Sequence, residues 1–153
     1  MGASGTGNIS FSSTNVTIAP ITGTIVVTPT YTNGGTTCTG ATTSFTITVN
    51  PRPAVNAVPN QSVCTGTPTA AVNFTGTIPG TVYNWTNNAP SIGLAASGTG
   101  NIASFTAVNT GAAPIVATIA VTPSYTVGGT TCTGATVNFT ITVNPNPGLI
   151  ITA

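Results

Sequence analysis

Very few side chains in this sequence can take part in chemistry. Three cysteines (Cys38, Cys64 and Cys132), one tryptophan (Trp85) and one arginine (Arg52) stand among hydroxyl, amide and apolar residues, and Asp, Glu, His and Lys are absent from all 153 positions. General acid–base catalysis needs a group that exchanges protons near neutral pH. A Ser, Thr or Cys nucleophile needs a neighbouring base or cation to activate it. Neither requirement is met, so no catalytic residue and no enzymatic activity are expected. Calcium sites are built largely from carboxylate oxygens, and zinc sites from clustered Cys, His and carboxylates; no metal or other cofactor is expected either. One arginine is too few to neutralise a run of phosphates, which removes nucleic acid from the expected partners.

The three thiols leave three pairings open. The pairing that a single module could make within itself joins Cys64, near the start of that module, to Cys132, in the loop before its last strand; Cys38 is then unpaired or intermolecular. Such a bridge would close a loop of about 70 residues and add roughly 4 kcal/mol by the chain-entropy description. Against it stands a simple sandwich trace, which sets those two loops at opposite ends.

The elements that would carry these residues are organised by a repeat. Residues 3–9, Ala-Ser-Gly-Thr-Gly-Asn-Ile, return unchanged as residues 96–102, and after one inserted residue (Ala103) residues 10–53 return as 104–147 with 30 of 44 positions identical. A spacing of 93 to 94 residues is too long for a solenoid repeat and suits a whole β-sandwich domain of about 100 residues. The expected organisation is therefore residues 1–53 as the second half of one module, 54–147 as a complete module and 148–153 as the start of the next. The joints Asn50-Pro51-Arg52-Pro53 and Asn144-Pro145-Asn146-Pro147 alternate proline, which favours short, extended, semi-rigid connections. The sequence is expected to be a piece of a larger exported product.

Within a module the apolar residues alternate. Phe139, Ile141 and Val143 point one way and the intervening threonines the other, as in a strand with one buried face. Ile115, Ala117, Ile119 and Val121 repeat the pattern. Val72 with Phe74, Tyr83 with Trp85, Phe105 with Ala107, and Val55 with Ala57 mark further strands, separated by Gly, Pro, Asn and Thr clusters that make turns. The expected fold is all-β: Ig/PKD-like sandwich modules in tandem, about seven strands in each complete one, with a core of Trp85, Tyr83, Phe74, Phe105, Ile119, Val121, Phe139, Ile141 and Val143. Trp85 is read as filling the space between the sheets, its alternative being a stacking platform for a sugar ring. No apolar run reaches the 18 residues of a membrane-spanning segment, so no direct membrane insertion is expected.

Tyr83-Asn84-Trp85, the Ala-Ser-Gly-Thr-Gly-Asn-Ile runs, the Cys-Thr-Gly sequences and Phe139-Thr140-Ile141-Thr142-Val143-Asn144-Pro145 together resemble the PKD-like repeats of giant Bacteroidetes surface proteins, over essentially the whole chain. Trp85 is followed by Thr86-Asn87-Asn88 in place of the acidic turn of ordinary PKD domains. The resemblance implies a module strung in many copies within a gliding-motility or attachment adhesin, exported by type IX secretion to the cell surface. The expected role is then a stiff spacer and adhesive stalk, with neighbouring modules, identical chains or surface glycans as partners. Two alternatives accompany it: a subunit of a self-assembling filament completed by strand exchange between chains, and a carbohydrate-binding module.

Overall fold

The structure is a computed structural model that describes residues 4–147; the expected start of a further module at 148–153 lies outside the described residues. The chain divides into two compact units, Met1–Pro51 and Arg52–Ala153.

In the first unit, strands β1 (Ile21–Val27), β2 (Thr30–Asn33), β3 (Thr36–Thr39) and β4 (Thr43–Val49) follow one another. Strand β1 runs antiparallel to β4, with Ile25 opposite Phe45, and β2 runs antiparallel to β3, with Tyr31 opposite Cys38. The β2–β3 turn is Gly34-Gly35, both at positive φ, as a two-residue hairpin of right-handed twist requires.

The second unit contains β5 (Gln61–Cys64), β6 (Val82–Asn87), β7 (Ser97–Thr99), β8 (Ile115–Val127), β9 (Thr130–Thr133) and β10 (Val137–Asn144), with one 3-10 turn at Pro90–Ile92. They form a single sheet in the order β5-β10-β8-β6-β7, with β9 pairing the far end of β8. All pairs are antiparallel except β5 with β10. Cys132, expected in a loop, is therefore in a strand. The alternation seen in the sequence appears directly in burial: Ala117, Ile119 and Val121 on β8 and Phe139, Ile141 and Val143 on β10 are all inaccessible or nearly so.

A second layer covers that face and makes the unit a β-sandwich. It consists of the segments around Val55, Val72–Phe74 and Ile102–Ala107, whose apolar side chains join the same core. Phe74 meets Phe139 across the layers edge to face, with ring centroids 6.4 Å apart. Tyr83 and Phe105 are half-buried against this core, and burial pushes the Tyr83 phenol above its ordinary pKa.

The regular strands expected at Val55–Ala57, Val72–Phe74 and Phe105–Ala107 are instead irregular segments: single bridges join Val72 to Ile102 and Pro68 to Thr106, and the Asn56 N–H donates to the Thr75 carbonyl at 2.8 Å. Side chains supplement these few backbone bonds. Asn101 Oδ1 accepts from the Phe74 N–H at 2.9 Å, Gln61 Oε1 from the Ala70 N–H at 2.9 Å, and Thr69 Oγ1 from the Phe105 N–H at 3.2 Å. Asn and Thr compete with the backbone for such bonds, and an unpaired buried amide costs about 1–3 kcal/mol. No buried side-chain N or O among the described residues lacks a partner.

Candidate functional site

Three places in the chain could carry function: the pairing of β5 with β10, the cysteines, and the apolar face of the first unit.

Strand β5 comes early in the second unit and β10 is its last strand, and the two are parallel neighbours: Gln61 lies opposite Ile141 and Cys64 opposite Asn144. Further bonds reinforce the ladder. Thr65 N–H donates to the Asn144 carbonyl at 2.9 Å, Asn144 Nδ2 donates to Ser62 Oγ at 3.1 Å, and Thr140 N–H donates to Asn60 Oδ1 at 2.8 Å. Because the strands are parallel, tension entering ahead of β5 and leaving after β10 slides one along the other. Every bond in the patch is loaded together, in shear.

The cysteines correct an expectation. Cys38, Cys64 and Cys132 are all free thiols, and the bridge between Cys64 and Cys132 does not form. Cys64 sits beside Asn144, next to the Ile115 end of β8, whereas Cys132 lies opposite Tyr125. Ten strand positions separate Ile115 from Tyr125, on the order of 30 Å at about 3.3 Å per residue. A disulfide tolerates a Cα separation of only about 7 Å. Alkylation of the native chain should label all three thiols, and a non-reduced digest should contain no peptide linking Cys64 to Cys132; recovery of that peptide would refute the strand register.

Trp85 is only 8% exposed, and its indole Nε1 donates to the Gly100 carbonyl at 3.1 Å. The ring lies flat over Gly98, where an added Cβ would collide with the indole. Trp85 is thus a core residue and offers no open face to a sugar. Arg52, the single charged side chain, donates from Nε to the Thr133 carbonyl at 3.0 Å. Among the described residues no group of three or more potential metal ligands occurs, and no helix is long and apolar enough to cross a membrane.

Among the described residues the first unit repeats the β8–β10 architecture with the counterpart of only one covering segment, residues 9–13 for Ile102–Ala107. The registers coincide under the sequence offset: Ile25 faces Phe45 as Ile119 faces Phe139, and Tyr31 faces Cys38 as Tyr125 faces Cys132. A polar clasp is also duplicated, buried in the second unit and half-buried in the first, with Asn109 Nδ2 donating to the Val143 carbonyl at 2.8 Å and Asn15 Nδ2 to the Val49 carbonyl at 2.7 Å. Burial differs sharply. Phe139 is 2% exposed and Phe45 46%; Val121 is 0% exposed and Val27 44%. Between residues 4–10 and β1 runs a groove of about 610 Å³, lined by Gly5, Gly7, Ile9, Ile25 and Val27 among others. Gly5 and Gly7 are the counterparts of Gly98 and Gly100, and an added Cβ at Gly5 would meet nothing within 4 Å. The groove is the empty counterpart of the socket that Trp85 fills.

The socket is not among the sequence expectations; the exact repeat of residues 3–9 as 96–102 is the one signal that could point to it, and the Trp–Gly contact itself carries no local signature. Neither a scan of protein-family models, nor a search of curated proteins, nor a search of solved structures returns a match to the chain.

Proposed function

We propose that this chain is a non-catalytic structural repeat of a large extracellular bacterial surface protein, serving as a stiff spacer and adhesive stalk that withstands tension along its axis. The observation that carries the reading is the parallel pairing of β5 with β10. It sets the bonds near the two ends of the second unit in shear, the arrangement in which hydrogen bonds must break together rather than one at a time. The duplicated hairpin, the proline-rich joints and the absence of Asp, Glu, His and Lys support the same conclusion, as does the resemblance to PKD-like surface repeats. Free thiols in place of a disulfide put the resistance on this hydrogen-bonded patch and the core behind it.

Single-molecule pulling on residues 54–147 within the full chain should give one cooperative rupture, releasing roughly 30 nm of contour at about 3.4 Å per residue. Val63→Pro, which removes a backbone donor from β5, should lower the rupture force by half or more while the β-sheet circular dichroism persists. A gradual extension with no force peak in the parent chain would exclude the mechanical role.

A further inference from the structure

We infer that Asn33, together with Gly34, is a self-modifying site at which this chain, built without Asp or Glu, acquires its first carboxylate. Asn33 closes the β2–β3 hairpin opposite Thr36, and it is exposed. Beyond it Gly34 and Gly35 make the turn at φ 55° and 79°. The neighbouring Thr32 and Thr37 bond to each other through their hydroxyls at 2.8 Å, whereas no hydrogen bond holds the Asn33 carboxamide among the described residues. Asn-Gly occurs once in the sequence. Glycine has no Cβ to crowd its own nitrogen, and its backbone is the most permissive of all, so this nitrogen reaches a preceding side-chain carbonyl more easily than any other.

The step is a ring closure followed by hydrolysis. The Gly34 N–H gives its proton to hydroxide, and its nitrogen bonds to Asn33 Cγ. The Cγ–Nδ2 bond breaks, and the nitrogen leaves as ammonia with a proton from water, which returns the hydroxide. A second water then opens the cyclic imide. Cleavage of one N–C bond leaves Asp at position 33; cleavage of the other routes the backbone through the former side chain, as an isoaspartyl link. Either product carries one carboxylate, ionised at neutral pH because its ordinary pKa is about 4. Closing the ring takes Asn33 out of its extended conformation and costs its pairing with Thr36. That pair is the last of the β2–β3 ladder, where local opening is cheapest.

The fold sorts Asn33 from the other asparagines. Asn56 and Asn88 also precede small residues, but Asn56 Nδ2 donates to Thr75 Oγ1 at 2.9 Å and Asn88 Oδ1 accepts from the Thr118 N–H at 2.8 Å. Asn87 and Asn109 are buried and bonded. Asn50, Asn144 and Asn146 precede prolines, which have no N–H to give. The rest precede bulkier side chains. The second unit supplies a control, because its corresponding turn, Gly128-Gly129 at φ 57° and 77°, follows Val127. That turn is exposed as well, although the core behind it is complete, so the exposure belongs to the hairpin tip and not to what covers the sheet. One carboxylate takes the formal net charge from +1 to zero, the condition under which proteins associate most readily. The isoaspartyl form also lengthens the backbone at the closing pair and puts β2 and β3 out of register there. This inference rests on the turn and not on the mechanical role, so the two can fail separately.

The test incubates the full chain at neutral and at mildly alkaline pH, beside a synthetic peptide of residues 29–40. The chymotryptic fragment of residues 32–45 should gain the mass that exchange of an amide for an acid brings, in both aspartyl and isoaspartyl forms. Its rate should rise in proportion to hydroxide and reach no less than about a tenth of the free peptide's, since only a terminal pair must open. On isoelectric focusing the intact chain should move to a more acidic band. Asn33→Val, the residue that the second unit carries at this place, should keep the parent's circular dichroism and abolish both changes. Three results would overturn the inference: an unchanged fragment after the free peptide has converted; the same mass gain arising as fast in fragments that hold other asparagines; or an acidic band that persists in Asn33→Val.

Discussion

Phe139→Ala should destabilise the second unit by about 3–5 kcal/mol, the range for removing a buried Phe side chain and leaving the cavity only partly collapsed. Its counterpart Phe45→Ala should cost under about 1 kcal/mol, because nearly half of that side chain is already exposed and little apolar surface returns to water when it is truncated. The two residues share strand position, cross-strand partner type and flanking sequence, Phe-Thr-Ile-Thr-Val-Asn-Pro. A difference between them isolates what the covering layer contributes, free of β-propensity. Urea titrations of both variants, followed by far-ultraviolet circular dichroism and read at constant slope, measure it. Equal losses would mean that Phe45 is covered in solution, either by self-association or by a bound strand.

Gly98→Val should cost about 3 kcal/mol and turn Trp85 toward solvent. An added Cβ at Gly98 would collide with the indole ring, 2.9 Å from Cη2 and closer still to Cζ2 and Cε2. Either the ring leaves its place, losing its bond to the Gly100 carbonyl and much of its buried area, or β7 separates from β6. Overpacking typically costs about 1–3 kcal/mol, and here the loss of a buried indole hydrogen bond adds to it. Trp85 is the only tryptophan, so a red shift of its emission reports the displacement without interference. Gly5→Val should leave both the emission and the urea midpoint unchanged. An unshifted spectrum in Gly98→Val, with parental stability, would disprove the close approach of ring and backbone.

Much of this was open to reading in the residues. Alternation in Phe139-Thr140-Ile141-Thr142-Val143 marks a strand with one wet face, because successive side chains leave a strand on opposite sides. The paired glycines at 34–35 and 128–129 mark two-residue hairpins, since few other residues accept positive φ at both turn positions. The short extended segments of the second layer were less legible, because Asn101 and Thr69 satisfy backbone groups through side chains whose partners lie 27 and 36 residues away in sequence. The separation of Cys64 from Cys132 likewise depends on which ends of β8 their strands adjoin, and spacing along the chain carries no such information.

By itself the sequence determined the all-β class, the duplication and a surface whose one charged side chain is Arg52, since each follows from residue type and period. Only the tertiary structure decided which of two near-identical hairpins is covered. Burial is a property of what lies across a face, and Phe74, which meets Phe139 across the core, belongs to a stretch with no counterpart in residues 4–51.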